Sequence, residues 1–375
     1  MIRKFGMATL ILLLAHAVTP ALAQSAANPS ASSNGGTTAP VPATPSSAPA
    51  VEAMPTLPAD AAGILSLASR YNGLDAPGLM PWHIAATYET FDAKGQSSAK
   101  GTFDDYWLGD GKYKRTYTSS SFTQTEFKTS GGRYRTGNLD SPPYPESLVE
   151  DLLLHPLPAD KEIQESTPER RTLQAGKVKL ECVMLSQKLT NVAFAPLGLF
   201  PTYCFSDNKP MLRIGLSFGQ TQATFNSPVL FQGRYLAQDI FVQDGQKPLL
   251  KIHVERIAAY SSVDPAAFAP PAGSKAIEQQ AVQVANGVMA GKLLKQEQPV
   301  YPDYARKNRI TGTVIMNVLI GRDGHIRNLR LISAPDSSLA ISAIAAARSS
   351  VYTPFKFNGE PVEVNTTVTM TYNIR

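Results

Sequence analysis

The sequence predicts an α+β chain. An antiparallel β-rich middle domain with one or two helices precedes a small C-terminal domain of two helices and a three-stranded antiparallel sheet. Three observations predict it. Apolar and polar residues alternate at period two through much of 82–257, with Gly- and Asp-containing turns between the runs. Leucines at helical spacing interrupt that pattern after Pro145. From Val362 to the end the alternation is unbroken.

Composition bounds the function. Of 375 residues, 43% are hydrophobic and 17% charged, a globular balance with few charges. The formal net charge is +5, and the stretch from Gly287 onward, with eleven Lys/Arg against six Asp/Glu, carries all of it. A chain neutral elsewhere lacks the long basic face that nucleic acid requires, so nucleic acid is not expected as a partner. Arg3 and Lys4 precede an apolar run from Phe5 to Val18, and Ala21-Leu22-Ala23 is a small-x-small cleavage site. That run falls short of the ~20 residues of a membrane-spanning helix. Residues 1–23 therefore read as a cleaved signal peptide of an exported protein. The alternative is an uncleaved inner-membrane anchor. Residues 24–60, of which 26 are Ala, Pro, Ser or Thr, read as a disordered tether.

Residues 61–263 form the β-rich domain. Trp82 to Thr90 alternates, Asp92-Ala93-Lys94-Gly95 turns, and Gly101 to Leu108 returns. Gly109-Asp110-Gly111 turns again into aromatic- and Thr-rich strand material from Lys112 to Phe127. Pro145-Glu146 opens a helix whose Leu148, Val149, Leu152 and Leu153 face the core, and Pro156 and Pro158 end it. Strands resume, among them Lys177–Leu185, Met211–Phe218 and Leu249–Ile257. Cys182 and Cys204 are the two cysteines, and in an exported chain they read as one disulfide. A bridge closing a loop of that length adds on the order of 3 kcal/mol. Residues 264–286, entered through Asp264-Pro265 and Pro270-Pro271, read as a linker.

Residues 287–375 form the last domain. Pro302 leads into a short helix, Asp303 to Lys307, and Thr313 to Ile320 is a strand with Val314, Met316, Val318 and Ile320 on one face. Gly321-Arg322-Asp323-Gly324 is a hairpin turn into His325–Ser333. Asp336 caps a helix from Ser337 to Ser350, striped by Leu339, Ala343, Ile344 and Ala347. In the final strand Val362, Val364, Thr366, Val368, Met370, Tyr372 and Ile374 form the dry face. Asn365, Thr367 and Thr369 lie on the wet one. A strand ending the chain in so small a sheet is an edge with unpaired N–H and C=O groups.

These residues resemble the C-terminal domain of the TonB family of periplasmic energy transducers. The likeness rests on Gln298-Pro299-x-Tyr301-Pro302, Ala305, Ile310-x-Gly312-x-Val314, Gly321-x-Asp323-Gly324-x-Ile326, Tyr352-x-Pro354 and the terminal strand, in the family's order. It covers about a quarter of the chain. The resemblance implies a periplasmic location and a partner that is an outer-membrane TonB-dependent receptor or a similar periplasmic segment, bound by strand addition in energy-coupled transport. It also implies a partner-binding set of Gln298, Pro299, Tyr301, Pro302, Val364, Asn365, Thr366, Thr367, Val368, Thr369 and Met370. Arg306, Lys307 and Arg309 form a basic face that is either merely solvated or attractive to an acidic receptor surface. The Glu-Pro and Lys-Pro repeats of the transducer's linker are absent, and Ser350-Val351 stands where many members have Trp-Arg. The middle domain is similar, in strand patterning and aromatic richness, to the lipoprotein-carrier family whose half-barrel cups an acyl chain. That likeness implies the alternative function, a carrier or sensor of an apolar ligand such as a lipid or lipoprotein acyl chain.

No catalytic residue, cofactor or metal site is expected. Gly215-Leu216-Ser217-Phe218-Gly219 fits the nucleophile-elbow pattern, but the following Gln220-Thr221-Gln222 reads as strand or turn where an elbow needs a helix. His83, His155, His253 and His325 lack metal-ligand spacing. Asp104 and Asp105 are neighbours in a strand and point to opposite faces.

Overall fold

A computed structural model of the protein describes residues 54–374 apart from 75, 140, 188, 190–191, 193, 207, 261–263, 278–280, 286–287, 290 and 296. The expected signal peptide and most of the expected tether lie outside the described residues. The tether's last part does not fit that expectation. Leu57 is buried with its N–H on Asn208 O at 3.0 Å, and Lys209 Nζ reaches Met54 O at 2.8 Å. The buried Leu57, with these bonds and that of Arg170 to Ala59 O at 3.1 Å, holds this stretch against the β-rich domain.

Helix α1 (Ala61–Tyr71) stands where the sequence suggested the β-pattern begins. Asp60 caps it, accepting from Gly63 N at 2.6 Å, and Ile64, Leu65 and Ala68 are its buried stripe. A meander follows: β1 (Trp82–Phe91), β2 (Ser97–Gly109), β3 (Lys112–Ser119), β4 (Thr123–Thr129) and β5 (Gly132–Gly137). Helices α2 (Leu148–Leu154) and α3 (Asp160–Gln164) come next. A second meander comprises β6 (Thr167–Ala175), β7 (Val178–Ser186), β8 (Thr202–Ser206) and β9 (Leu212–Ser217). It continues through β10 (Thr221–Phe231), β11 (Arg234–Asp244) and β12 (Lys247–Ala259). Antiparallel pairing of β1 with β12 fuses the two meanders into one sheet that starts at β5 and ends at β6. Its inner face, including Trp82, Ile84, Phe103 and Leu250, closes over α1 and the Val149 and Leu153 side of α2. Burying that apolar surface is the main stabilising term.

The core also holds charge. Asp105 on β2 lies opposite Arg115 on β3, fully buried, and accepts two hydrogen bonds from its guanidinium at 2.9 and 3.0 Å. The same guanidinium contacts Glu150 of α2, so one arginine joins sheet and helix. Burial pushes Asp105 up to about 6 against the pull of Arg115. Burial acts the same way on Glu150, but the Arg115 charge overcomes it and holds Glu150 below its ordinary value. Cys182 and Cys204 face each other across β7 and β8 and are joined, the pairing expected from the sequence.

Residues 264–286, expected as a linker, carry two strands. β13 (Lys275–Ala276) adds to the outer side of β5 and β14 (Val282–Gln283) to a second sheet. After β15 (Leu293–Lys295) come α4 (Asp303–Lys307), β16 (Gly312–Ile320), β17 (Ile326–Ser333) and α5 (Ser337–Ser349). The chain ends through β18 (Val351–Tyr352), β19 (Lys356–Phe357), β20 (Glu360–Pro361) and β21 (Val364–Tyr372). The second sheet therefore has four strands in the order β14-β21-β16-β17, where three were expected. The extra one is parallel and only two residues long, and it lies in the stretch expected as a linker. Val314, Met316, Val318 and Ile320 are buried as the alternation predicts, against Leu339, Ala343, Ile344 and Ala347 of α5. Gly324 is required at its turn: φ is +82°, and a Cβ there would sit 1.9 Å from Tyr352 O.

Arg115→Met leaves two carboxylates in the core without their cation. The expected loss is about 3–5 kcal/mol of unfolding free energy at pH 8. Asp105 already has its folded value raised above the unfolded one, and removing Arg115 raises it further, so acid neutralises the buried charge. The deficit relative to wild type should shrink as pH falls from 8 to 5 in urea titrations. A deficit constant with pH would contradict this.

Candidate functional site

The expected partner-binding strand alternates in its backbone as well as its side chains. Val284 N–H donates to Asn365 O at 3.0 Å, and Val282 N–H to Glu363 O at 2.8 Å, so odd-numbered residues turn their backbone groups away from β16. The register with β16 runs without a shift from Gly312↔Tyr372 to Ile320↔Val364. Thr367, Thr369 and Thr371 therefore also aim N–H and C=O outward, beyond the end of β14. Val364, Thr366 and Met370 give their side chains to the core, Val368 is half-buried, and all four turn their backbones toward β16. The expected set is thus split by parity: Asn365, Thr367 and Thr369 hold outward bonding capacity, and Asn365 has lent its carbonyl to β14. Thr371, absent from that set, shares the outward direction. Val282 to Val284 were also missed, because an apolar-polar-apolar run of three residues is too short to stand out as a strand.

Gln298 is exposed at the chain's approach to α4. Tyr301 stands edge-on to Tyr372 with ring centroids 5.5 Å apart, and its hydroxyl donates to Ile310 O at 2.6 Å. Pro299 and Pro302 are half-buried on either side of it. This segment sits by the C-terminal end of β21, while β14 covers the other end, Val364 and Asn365. Exposed Val300 and Tyr304 flank the same end. Lys307 and Arg309 are exposed nearby, and Arg306 lies 3.7 Å from Asp303.

Other cations of this unit reach toward the middle domain. Arg327 binds Asp323 at 2.8 Å and Pro142 O at 2.9 Å, and Arg330 lies 3.5 Å from Glu165. Arg348 of α5 donates to Thr221, to Asp244 at 3.1 Å and to the Tyr144 hydroxyl at 3.0 Å, with its guanidinium 4.7 Å from the Phe218 ring centroid. Tyr144 stacks on His325 and donates its N–H to Asp323 at 3.0 Å. Met184, Leu199 and Phe200 of the middle sheet join the apolar cluster of β16 and α5. A cleft of about 590 Å³ remains between the two, lined by Phe200, Phe218, Leu329, Ile344, Glu165 and Arg330 among others. The Ser217 region is a tight turn from β9 into β10 with Phe218 and Gly219 at positive φ, so no helix follows the serine.

Electrostatics favour this docking at neutral pH. Burial pushes Asp323 up, but the His325 ring 3.3 Å away and the Arg327 charge overcome it and hold the carboxylate below its ordinary range. A depressed carboxylate stabilises the folded state above its unfolded value and loses that contribution as pH falls through the folded one. Burial works against the Arg348 charge too, and the Tyr144 hydroxyl and Asp244 carboxylate outweigh it. Arg348→Met should cost about 1.5–3 kcal/mol, the range for hydrogen bonds to a charged group. Asp244 is partly exposed and keeps some hydration, which places the loss at the lower end. Urea unfolding measures it, and an unchanged midpoint would show that Arg348 contributes nothing to docking.

Among the described residues, no group of three or more His, Cys, Asp or Glu is placed to hold a metal, and no helix is long and apolar enough to cross a membrane. No curated protein matches the chain. Solved structures similar to it include a LolA superfamily protein from Nitrosomonas europaea, at 10% identity and TM-score 0.33 over 56% of this chain and 97% of that one. A putative outer membrane lipoprotein-sorting protein domain from Vibrio parahaemolyticus aligns at 8% identity and TM-score 0.32, over 56% and 95%. The MucA/MucB complex from Pseudomonas aeruginosa gives 9% identity and TM-score 0.22, over 82% and 92%. The resemblance read from Gln298 onward is matched directly: residues 297–374 fit the family model of the Gram-negative bacterial TonB protein C-terminal.

Proposed function

We propose that this is a non-enzymatic periplasmic interaction protein of the TonB type, which receives an extended segment of a partner on the outward side of β21. The observation that supports it is that this edge already takes a strand: Val282 and Val284 donate to Glu363 and Asn365 in parallel pairing. Beyond them the outward groups of Thr367, Thr369 and Thr371 continue the same ladder, and a peptide laid along it gains main-chain hydrogen bonds at each second residue. The partner class is an outer-membrane receptor or scaffold with a periplasmic extended segment, in energy-coupled transport. Exposed Lys307 and Arg309 speed its encounter if the receptor surface around that segment is acidic.

Beside α1 and α2 the inner face of the large sheet leaves no room for a carrier's acyl ligand, although a cleft of about 530 Å³ lined by Tyr88, Gly101, Ile240 and Ile252 among others opens elsewhere on the sheet. That face is filled by Ile64, Leu65, Val149 and Leu153 of the chain's own helices. The cavity beside them, lined by Leu153, Leu212, Phe225 and Leu236 among others, is only about 20 Å³. An acyl chain needs far more room, since typical ligand pockets hold roughly 300–1,000 Å³.

Thr367→Pro and Thr369→Pro each remove one outward N–H and place a ring in the path of an incoming strand, while the bonds of β21 to β16 are made by the even-numbered residues. Both variants should fold with wild-type midpoint to within about 1 kcal/mol, a typical size for a non-core substitution, and lose capture of an outer-membrane receptor in pull-down from an outer-membrane extract. Val368→Pro, aimed inward, should instead cost folding. Receptor capture that survives in the folded Thr367→Pro and Thr369→Pro chains would move the binding surface elsewhere.

A further inference from the structure

Two sheets of this protein have their edges bridged by one short stretch of chain. Lys275 and Ala276 pair antiparallel with Arg135 and Tyr134 at the rim of the large sheet, and Ile277 N–H extends that ladder to Arg133 O at 2.8 Å. Val282 and Gln283 then pair in parallel with Val364 and Asn365 at the rim of the small one. From Ala276 to Val282 the chain can span at most about 22 Å. The stretch is anchored at both ends by burial as well as by hydrogen bonds: Ile277 and Val284 are each 8% exposed, and Val282 packs on the cluster that Val364 and Met370 share. Gln283 points the other way and is exposed. Glu360 reinforces the tie at the rim of the large sheet, lying 3.2 Å from Arg135 and 3.7 Å from Lys275.

On the reading of β21 as the partner-binding edge, two strands claim the same carbonyls. A partner strand that uses the whole edge, from Glu363 onward, and the segment Val282 to Val284 compete for the carbonyls of Glu363 and Asn365. We propose that Val282-Gln283-Val284 is an intramolecular occupant of the partner-binding edge, displaced by an incoming partner strand. The site is a groove for an extended, uncharged segment with apolar residues at alternate positions, the pattern the chain itself places there. Displacement also frees the Val282 end of the chain whose other end pairs with β5, so occupation of β21 slackens the stretch that ends there. Partner binding at the small sheet is thereby reported at the edge of the large one.

The occupant lowers the apparent affinity of any competitor by the fraction of time the edge is uncovered; if it covers the edge about nine-tenths of the time, the loss is about tenfold. The probe is a fluorescent synthetic peptide of the chain's own residues 280–286, QAVQVAN, titrated into the full exported chain and read by anisotropy. Val282→Pro/Val284→Pro removes both donors from the occupant and leaves β21 unaltered. Val284→Asp keeps the donors and removes the apolar anchor. The peptide should bind the double-proline chain about tenfold more tightly than wild type, with Val284→Asp between them and all three chains showing the same circular dichroism. Hydrogen exchange should rise at Ile277 in the double-proline chain, since the bond of its N–H to Arg133 O is at the end of the released stretch. Equal binding to all three chains, or to none, overturns the occupant. Those results leave the edge reading intact so long as Thr367→Pro and Thr369→Pro abolish receptor capture, whereas their failure to do so defeats the edge reading itself.

Discussion

Backbone hydrogen bonds must be made somewhere, and a strand at the rim of a sheet leaves every second N–H and C=O without a neighbour. In β21 those groups belong to the odd-numbered residues. Its even-numbered side chains are committed to the core beside α5, and its even-numbered backbones face β16. What is left for a partner lies in the plane of the sheet, at Thr367, Thr369 and Thr371, with the lower end covered by Val282 to Val284. The docking of the small sheet on the large one protects this arrangement. Arg327, Arg330 and Arg348 reach away from the rim and into the middle sheet, and Met184, Leu199 and Phe200 extend the apolar cluster across the junction.

A transducer domain on a loose tether and a domain fixed to a large sheet work differently. Here the C-terminal unit shares its core with a body of twelve antiparallel strands plus β13, through packed side chains. The polar clamp around Arg348 and Tyr144 makes the relative placement specific, because a guanidinium satisfied by Asp244, Thr221 and Tyr144 fits one orientation only. The stretch from Lys275 to Val284 adds a second, softer connection, made of edge hydrogen bonds that a competing strand can replace.

Long, regular signals were legible in the sequence. The alternation from Val362 placed the last strand and its dry face within two residues, and the Gly-x-Asp-Gly turn and the Asp336 cap were read correctly. So was the pairing of Cys182 with Cys204. Short or context-dependent elements were not. The apolar stripe of α1 is only Ile64, Leu65 and Ala68, too little to stand out beside a proline-rich lead. β14 consists of two residues held by tertiary pairing, and no local propensity announces that. Charge counts also do not show that Arg330 and Arg348 find partners far away in sequence, whereas Arg306, Lys307 and Arg309 stay exposed. For the candidate site, the sequence located the strand, but the alternation of outward groups depended on a hydrogen bond from Val284 that the sequence could not show.

Amide hydrogen exchange resolved at single residues of β21 decides whether this edge receives the partner. In the free protein the N–H groups of Thr367, Thr369 and Thr371 face outward and exchange fast, while those of Val368 and Met370 are held by β16 and exchange slowly. With an outer-membrane receptor bound, the account predicts that the three threonine amides become protected and the inward ones change little. Receptor binding that leaves Thr367, Thr369 and Thr371 exchanging as in the free protein would contradict it.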